Sequence, residues 1–330
     1  MMRRRDLPAM MAALLPSCLR PGTRPRVRIA VLSTSIGTLA VYLAKSLRFF
    51  EQEGLDVHLE ELSSTGKTME ALLGGSVAIC ASTYEQTLQA AALGRDVRSF
   101  FLLYTFPNNA LVVAPGRPLI TTIEQLKNKT VGVTSLGSAS QNYLSIILLR
   151  HGMSLADVQP VAIGTAGTSI AALENNKVDA AMLTSIPLET LRARRPGMKV
   201  LVDLRTPEGT AVVFGVPHVP VGAVVSSSRW LVENPDTARR ITRALARAAG
   251  WIHERSSIEV AASLPASWHT PGSGAAQRSL ELAMPALSRD GRMPQGGPEA
   301  IRDFLKLAVD PSLNVDLMKT YTNEFLEAKP

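Results

Sequence analysis

The segment VRIAVLSTSIGTLAVYLAKSLRFFEQEG, residues 27–54, decides the fold class because it predicts a strand, a polar turn and a helix in that order. Residues 27–32 are apolar apart from one arginine and predict a buried strand. Residues 39–53 carry apolar side chains at helical spacing, and Gly54 marks the predicted end of that helix. A strand that leads through a short turn into a helix is the repeating unit of an α/β protein.

The same order of elements continues to residue 204. Strands are predicted at 55–59, 77–81, 97–104, 131–134, 158–163, 178–183 and 200–204. Helices are predicted between them at 64–73, 84–93, 141–150, 169–173 and 188–194. Strands that alternate with helices through short turns predict an α/β fold with a largely parallel sheet.

Two similar lobes are predicted from an internal likeness. The motif TSIGT at 34–38 matches TSLGS at 134–138, one hundred residues later, and each follows a predicted strand. Two copies of a unit of this length indicate a repeated lobe rather than a solenoid. A chain of 330 residues also has the length of about two domains.

The sequence changes character after residue 204. Residues 210–216 and 221–225 are apolar and predict two further strands. Asn234 and Pro235 predict the start of a long helix, as its N-cap and first residue. Residues 263–330 predict helices broken by Pro and Gly, without a sheet of their own, so we expect this segment to pack back on the first lobe.

The net charge of +7 is concentrated at the N-terminus. Residues 1–28 contain seven arginines and one aspartate, so they carry +6 and the rest of the chain carries +1. A body so close to neutrality lacks the basic surface that nucleic acids require. Aromatic residues make up only 5% of the chain, which argues against stacking on single-stranded nucleic acid. No nucleic-acid partner is expected.

The first 26 residues predict a leader. Three arginines at 3–5 precede the apolar stretch 7–15, which is the pattern of an export signal, and Arg4-Arg5 fits a twin-arginine signal loosely. Residues 15–18, Leu-Pro-Ser-Cys, resemble a lipoprotein cleavage site that would place a lipid on Cys18. The alternatives are a disordered basic tail and a start codon placed too early.

Signatures of catalysis and of metal binding are missing from the sequence. No His or Cys cluster has metal-ligand spacing, and no nucleophile elbow, zinc-protease motif or dinucleotide fingerprint occurs. The run Ser64–Lys67 resembles the end of a phosphate-binding loop, but Glu61 stands where that loop requires glycine. We therefore expect no catalytic residues, no metal and no cofactor.

Turns rich in Ser, Thr and Gly recur between predicted strands and helices, at 33–38, 63–68, 82–84, 134–138, 164–169 and 184–185. In an open parallel sheet such turns lie at the carboxyl ends of the strands, where ligands bind. Helix N-termini add unpaired N–H groups and a partial positive charge. Each hydroxyl is also an ordinary helix cap. Their clustering in two lobes favours a polar cleft between the lobes.

Five short motifs occur in a fixed order: FFEQEGLDV at 49–57, ALLGGSVA at 71–78, IEQLKNKTVGV at 123–133, LENNKVDA at 173–180 and NPD at 234–236. Their order and spacing resemble the periplasmic substrate-binding proteins of the nitrate/sulfonate/taurine ABC-transporter family, which have the type II periplasmic-binding fold. The likeness covers residues 27–330. The sequence departs from the pattern at Ala78, which replaces Asp, and at Asn128, which replaces Gly.

The resemblance implies a two-lobed α/β fold with a ligand cleft between the lobes. Lobe 1 would comprise 27–108 and 215–330, and lobe 2 would comprise 109–214, joined by crossing segments near 104–114 and 210–222. The implied ligand-binding residues are Ser35, Thr65, Gly66, Lys67, Thr83, Tyr84, Ser138, Thr165 and Thr184, with Phe106 and Asn108 as weaker candidates. Lys67 could pair with an anion or be a solvated surface lysine, and Tyr84 could stack on a ligand or pack in the core.

Three functions remain open from the sequence. The first is a monomeric periplasmic protein that binds a small solute (a sulfonate, taurine, nitrate or a pyrimidine precursor) and delivers it to the permease of an ABC importer. The second is an enzyme of the same fold in thiamine- or menaquinone-precursor metabolism, for which a His, Cys or acid pair in the cleft would be expected. The third is a sensory pair of lobes, which would need an attached DNA-binding or membrane segment.

Overall fold

Two five-stranded sheets, each covered by helices, form the two lobes of the molecule. The computed structural model describes residues 24–33, 35–268 and 275–326. The first sheet has the order β2-β1-β3-β10-β4 and consists of β1 (Arg26–Leu32), β2 (Asp56–Leu62), β3 (Ile79–Thr83), β4 (Val97–Tyr104) and β10 (Gly222–Ser227). The second has the order β7-β6-β8-β5-β9 and consists of β5 (Asn109–Val113), β6 (Thr130–Val133), β7 (Gln159–Ala162), β8 (Ala180–Thr184) and β9 (Val200–Asp203). The predicted two-lobed α/β fold is confirmed.

Each sheet contains one strand that runs against the others. In the first sheet β1 is parallel to β2 and β3, and β10 is antiparallel to β3 and β4. In the second sheet β6 is parallel to β7 and β8, and β5 is antiparallel to β8 and β9. The reversed strands, β5 and β10, are the ones that follow each crossing between lobes. The sheets are therefore mixed, although most of their strands are parallel.

The α-helices lie between and around these strands. They are α1 (Leu39–Ser46), α2 (Phe49–Gln52), α3 (Thr65–Leu73), α4 (Tyr84–Ala92), α5 (Ala139–Arg150), α6 (Ala166–Glu174), α7 (Ser185–Arg194), α8 (Pro207–Phe214), α9 (Ser228–Glu233), α10 (Pro235–His253), α11 (Ser257–Ala262), α12 (Ala275–Ala283) and α13 (Gly297–Ala308). Within the described ranges, none of these helices is long and apolar enough to cross a membrane.

The helix predicted over residues 39–53 is broken in two. Arg48 adopts a left-handed conformation with φ 60°, and α2 begins directly after it. The break lets Phe50 turn into the core, where its side chain is fully buried. Asn128 also has a positive φ, of 62°. Asparagine tolerates that conformation better than most residues, which explains how it replaces the glycine of the family pattern.

The strand predicted at 210–216 is wrong, because this segment belongs to α8. Thr206 caps the helix by accepting a hydrogen bond at Oγ1 from the Gly209 N–H, 3.1 Å away. Pro207 occupies the first turn, and Gly215 ends the helix in the left-handed conformation with φ 76°. These cap signals outweigh the β-branched residues between them.

The C-terminal segment contacts both lobes. Helix α12 packs on α11 and on α7, and α13 packs on α4, α5 and α8. The apolar face of α13, with Ile301, Phe304 and Leu305, joins one core that also contains Tyr84 and Tyr143. The expectation that this segment packs back on the first lobe is therefore incomplete. The lobe boundaries given above stay a prediction.

Candidate functional site

The carboxyl ends of strands from both sheets meet at one cavity between the lobes. Its walls come from the turns after β1, β3, β6 and β8, from the start of α3, from the first turns of α5 and from the crossing segment between β4 and β5. The lining residues are Leu32, Ser35, Thr65, Thr83, Tyr104, Asn108, Asn109, Thr134, Ala139, Ser140, Tyr143 and Thr184. The cavity volume is about 30 Å³, room for a water molecule or two. The surrounding side chains thus leave only a small space between the lobes.

The first lobe contributes three hydroxyls to this cavity. Ser35 is buried, and its Oγ accepts a hydrogen bond from the Gly37 N–H at 3.2 Å. Thr65 begins α3, and its carbonyl oxygen accepts from the Ser82 hydroxyl at 3.1 Å. Thr83 precedes α4 with extended backbone, and its buried Oγ1 has no hydrogen-bond partner among the described residues. The Thr83 hydroxyl therefore has unused hydrogen-bonding capacity among the described residues.

The second lobe contributes Thr134, Ser140 and Thr184. The Ser140 hydroxyl accepts from the Thr134 N–H at 2.9 Å, which holds the turn after β6 against the start of α5. Thr184 precedes α7 and makes no side-chain cap bond, and it is half-buried at the cavity wall. The two threonines Thr83 and Thr184 therefore occupy equivalent places, directly before a helix in each lobe.

Tyr104 lies between the lobes because two glycines leave room for its ring. A Cβ added at Gly222 would lie 1.8 Å from Tyr104 Cε1, and one added at Gly37 would lie 2.6 Å from the same atom. Both distances are far shorter than a van der Waals contact. The ring therefore lies directly against the backbone of both glycines, and it forms part of the cavity wall.

We expect Gly222→Ala to displace the Tyr104 ring, because the new methyl group would overlap Cε1 of that ring. The free energy of unfolding should fall by about 1–3 kcal/mol, the usual cost of overpacking. Urea unfolding measures this change. Gly250→Ala is the matched control, since that glycine lies within α10 with no atom near the new methyl group. The control should gain about 0.5–1 kcal/mol, and equal losses in both variants would contradict the packing argument.

The crossing segment adds two amides. The Asn108 Oδ1 accepts a hydrogen bond from the Ser185 hydroxyl, which ties the crossing to the start of α7. Asn108, the weaker candidate, lies on the cavity wall, and Asn109 beside it begins β5. Phe106 is buried beside the cavity and does not line it. Its ring centre is 5.9 Å from that of His218.

Several predicted binding residues lie elsewhere. Gly66 and Lys67 line a separate groove of about 510 Å³ between α3, α4, the turn after β6 and the end of α13. The Lys67 side chain is exposed there. Ser138 is fully buried and donates to the Ser135 carbonyl oxygen at 2.6 Å, so it stabilises its own turn. Thr165 precedes α6, outside the set that lines the cavity.

The Tyr84 ring packs in the core, which is the second of the two roles considered for it. The side chain has no exposed surface, and its hydroxyl is 2.6 Å from the Thr320 Oγ1. Its backbone N–H donates to the Val221 carbonyl oxygen at 2.7 Å. The Tyr84 hydroxyl therefore already has a partner in the C-terminal segment, and the Tyr84 N–H has one in the residue that precedes β10.

Sequence reasoning missed Tyr104, Thr134, Ser140 and Tyr143. Thr134 belongs to the polar turn at 134–138 that the sequence analysis identified. Its position directly after β6 was the signal that could have predicted a place in the cavity wall. Tyr143 lies one helical turn beyond Ala139, on the same face of α5. To predict Tyr143, one must know which face of α5 points toward the cavity, and a single sequence defines that face poorly.

The cavity wall is uncharged. Among the described lining residues there is no Asp, Glu, Lys, Arg, His or Cys. No group of three metal-binding side chains occurs within the described ranges. Cys80 is fully buried in β3, and burial raises the pKa of its thiol well above the usual range, so it is an unreactive core residue. What the site offers is hydroxyl and amide hydrogen bonding.

One carboxyl group lies behind this wall. Glu85, in the first turn of α4, has no exposed surface, and neither of its oxygens has a well-formed hydrogen bond to a described residue. Burial raises its pKa to about 8, and the neighbouring Tyr143 hydroxyl and Asn142 amide offset part of that effect. Tyr143 lines the cavity, so the carboxyl group is adjacent to the site.

Known proteins resemble this chain in sequence. The provisionally named binding protein YtlA of Bacillus subtilis is 23% identical over 251 residues, which is 74% of this chain and 72% of that protein. The 4-amino-5-hydroxymethyl-2-methylpyrimidine phosphate synthase of Aspergillus parasiticus is 22% identical over 298 residues, 87% of this chain and 82% of that protein.

Solved structures also resemble this chain. A protein from Bordetella bronchiseptica RB50 matches with a TM-score of 0.86 and 28% identity, covering 92% of this chain and 96% of that chain. The alkanesulfonate-binding protein SsuA from Xanthomonas axonopodis pv. citri, bound to MOPS, matches with a TM-score of 0.70 and 20% identity, covering 90% and 98%. The second match shows a shared fold.

The sequence model described as NMT1/THI5 like matches residues 36–256, about two thirds of the chain. This match and the SsuA structure confirm the resemblance that the five motifs indicated. With the lobed fold, the cleft cavity and the matched residues in agreement, the chain belongs to the NMT1/THI5-like family.

Proposed function

We propose that this chain is the extracytoplasmic solute-binding component of an ABC importer. It closes its two lobes around a small solute and delivers that solute to a membrane permease. The observation that carries the proposal is the uncharged cavity at the strand ends of both sheets, lined by hydroxyl and amide groups. Such a lining suits reversible hydrogen bonding to a solute, and hinge closure is the expected motion.

The relatives suggest the solute classes to test. SsuA of Xanthomonas is an alkanesulfonate-binding protein, and the Aspergillus relative is named as a pyrimidine phosphate synthase. We therefore propose a small organic or anionic solute of the sulfonate, taurine, nitrate or pyrimidine-precursor type. In our proposal Ser35, Thr65, Thr83 and Thr184 contact it directly, while Gly66, Lys67, Ser138 and Thr165 lie outside the cavity lining.

The proposed location is the periplasm, with the protein acting as a monomer. Residues 1–23 lie outside the described residues. They contain Cys18, the twin-arginine signal and all but the last three residues of the predicted leader at 1–26. Cell fractionation of the native host tests this part. We expect a shortened chain in the periplasmic or membrane-bound fraction, and a processed chain confined to the cytoplasm would contradict the role in import.

An enzyme of pyrimidine metabolism is the second candidate, because the Aspergillus synthase aligns over most of the chain. The lining residues weaken it, since the described wall holds no His, Cys, Asp or Glu to act as acid, base or nucleophile. We propose a binding protein and not an enzyme. Product analysis after overnight incubation with each stabilising solute separates the two, because an enzyme consumes its solute.

The test of the proposed function is a thermal-shift screen of the full chain against sulfonates, nitrate, carboxylates and pyrimidine precursors. A ligand present at one hundred times its Kd stabilises the folded state by about 2.7 kcal/mol. This should raise Tm by several degrees for a chain of this size. We expect one solute class to give that shift without being consumed. A screen with no shift in any class would contradict the proposal.

We expect Thr83→Val to weaken binding of the solute found in that screen by about 10- to 100-fold. The valine keeps the shape but removes the unpartnered hydroxyl, and a lost hydrogen bond in a buried site costs about 1–3 kcal/mol. Isothermal titration calorimetry measures the change. Thr190→Val is the matched control, because its Oγ1 is equally buried and unpartnered but lies in α7 away from the cavity. Equal affinity in the two variants would show that Thr83 does not touch the solute.

A further inference from the structure

Positive charge is concentrated on one face of the first lobe, formed by the end of α1, by α2 and by the outer side of α10. Arg240, Arg243 and Arg247 recur on α10 at intervals of three and four residues, so they share one side of that helix. Arg243 Nη2 lies 2.8 Å from Glu53 Oε2, directly after α2, which places this row of arginines against α2. We call this surface the basic face. Its charged residues are the cations Arg24, Lys45, Arg48, Arg240, Arg243 and Arg247 and the acids Glu51, Glu53 and Asp236.

The basic face has a net charge of +3, although residues 29–330 together carry only +1. Five of its cations and all three of its acids belong to that range, so the remainder of the range sums to −1. Several of its ion pairs are open to solvent. The Arg48 side chain is 74% exposed, and Asp236, the partner of Arg240, is 68% exposed. Exposed pairs of this kind contribute little to stability, so these arginines can turn toward another anion at small cost.

The described part of the chain begins at the edge of this face. The Pro25 carbonyl oxygen accepts a hydrogen bond from the Asp56 N–H at 3.0 Å, just after α2. The hydrogen bond from Arg48, together with the charges of Lys45 and Arg24, lowers the pKa of Glu51, which places Arg24 near α2. Cys18 precedes Arg24 by six residues, and an extended chain spans at most about 3.5 Å per residue. A lipid on Cys18 would therefore hold the basic face within about 20 Å of a bilayer.

The surroundings of these cations favour a lipid surface over a protein as the partner. Helices α1, α2 and α10, all within the described residues, expose no large apolar side chain. A specific protein interface normally has an apolar centre. The phosphates of an anionic bilayer need only clustered Lys and Arg side chains, and the guanidinium group of arginine binds phosphate with parallel hydrogen bonds.

We propose that the basic face docks on the anionic surface of a lipid bilayer. This inference rests on the proposed export of the chain, and it adds a second membrane contact to the lipid proposed on Cys18. Strands β1 and β2 begin near the basic face, whereas the candidate cavity lies beyond the carboxyl ends of β1 and β3. Docking therefore directs the cleft away from the bilayer, where solute can reach it.

The test is co-sedimentation of the full chain with vesicles of phosphatidylcholine alone or of equal parts phosphatidylcholine and phosphatidylglycerol. Partition onto the anionic vesicles should be at least about 10-fold stronger, since each basic residue near such a surface adds attraction. It should fall when the salt concentration rises from about 0.01 M to about 1 M, because the Debye length shrinks from about 30 Å to about 3 Å. Equal partition onto both vesicles would overturn the inference and leave an acidic protein as the partner to seek.

The variant that tests the face itself is the triple substitution Lys45→Gln, Arg48→Gln and Arg240→Gln. It keeps Arg243 and Arg247, the partners of the largely buried Glu53, so it should fold. Its partition onto the anionic vesicles should be about 10-fold or more below that of the parent chain.

The matched control is the triple substitution Arg194→Gln, Arg195→Gln and Lys199→Gln. It removes the same charge from exposed positions at the end of α7 and the start of β9, in the other lobe. The leader at 1–26 is present in both variants, so its own attraction to the vesicles cancels in their ratio. The control should stay within about 3-fold of the parent chain.

An equal loss in the two triple variants would overturn the inference, because total charge or the leader would then account for the binding. The vesicle measurement uses no solute. Its failure therefore leaves the proposed solute binding standing, and a failed solute screen leaves the vesicle result unchanged.

Discussion

Replacing Arg205 by alanine is expected to lower the free energy of unfolding by about 3–5 kcal/mol, because it leaves a buried carboxylate without its main partner. The Arg205 side chain is only 2% exposed. Its Nη1 donates to Glu189 Oε1 at 2.8 Å, and its Nη2 and Nε donate to the two Asp203 oxygens at 2.7 Å each. Glu189 is 5% exposed and cannot recover this loss by hydration.

The geometry explains why arginine is needed at this position. The planar guanidinium donates two parallel hydrogen bonds to Asp203 and a third to Glu189 on α7. A lysine ammonium group could not form this arrangement. Burial alone would raise the pKa of Asp203, but the bonds and charge of Arg205 lower it overall. Arg205 also lies beside Tyr104 and Asn108 in a small cavity next to the crossing segment. The ion cluster thus stabilises the lobe at the point where the chain crosses.

Arg192→Ala is the matched control for this prediction. Arg192 also pairs with Glu189, at 3.4 Å, but its side chain is 38% exposed. Its loss should cost at most about 1 kcal/mol, as for other surface ion pairs. Guanidinium unfolding of the two variants measures both values. A similar small cost in each would show that the partners left in Arg205→Ala, Arg192 at 3.4 Å and Arg278 at 3.8 Å from Glu189, are enough to compensate its charge.

Elements with strong local signals were predictable from the sequence. The strand predicted at 97–104 is β4, and the helix predicted from Pro235 is α10. Both are long and periodic, and α10 has proline at its first residue. The segment at 210–216 was misjudged because Val and Phe in a short apolar run favour a strand equally well. Its caps, at Thr206 and Gly215, were the better evidence.

The site residues at the ends of the strands could be predicted from the sequence, but those on the helices could not. Ser35, Thr83 and Thr184 follow directly from the rule that ligands bind where parallel strands end, and all three line the cavity. Tyr143 and Glu85 depend on the rotation of α4 and α5 and on how the lobes meet. Helix rotation and the contact between lobes depend on tertiary packing, and a local sequence pattern does not determine them. Arg205 was missed for the same reason, since nothing in a single sequence marks an arginine as buried.

The pH dependence of stability should reveal Glu85 directly. Its carboxyl has a pKa of about 8 in the folded chain and an ordinary value of 4.5 when unfolded. Between these two values the folded state holds a proton that the unfolded state releases, so stability must fall as pH rises from about 4.5 to about 8. The contribution of this one group reaches about 1.4 kcal/mol per pH unit. Above pH 8 it becomes constant.

Glu85→Gln should therefore be more stable than the parent by several kcal/mol at pH 8.5, with the difference closing toward pH 5. Chemical unfolding at a series of pH values measures the difference, which cancels the titration of all other groups. Glu124→Gln is the control of opposite sign, because hydrogen bonds from Thr122, its own backbone and His151 lower the Glu124 pKa to about 2. That variant should lose stability above pH 4.5 and match the parent at low pH. If the parent and Glu85→Gln had parallel profiles from pH 5 to 8, Glu85 would have to be ionised in the folded chain. A buried cation would then have to compensate it, and the described cavity wall provides none.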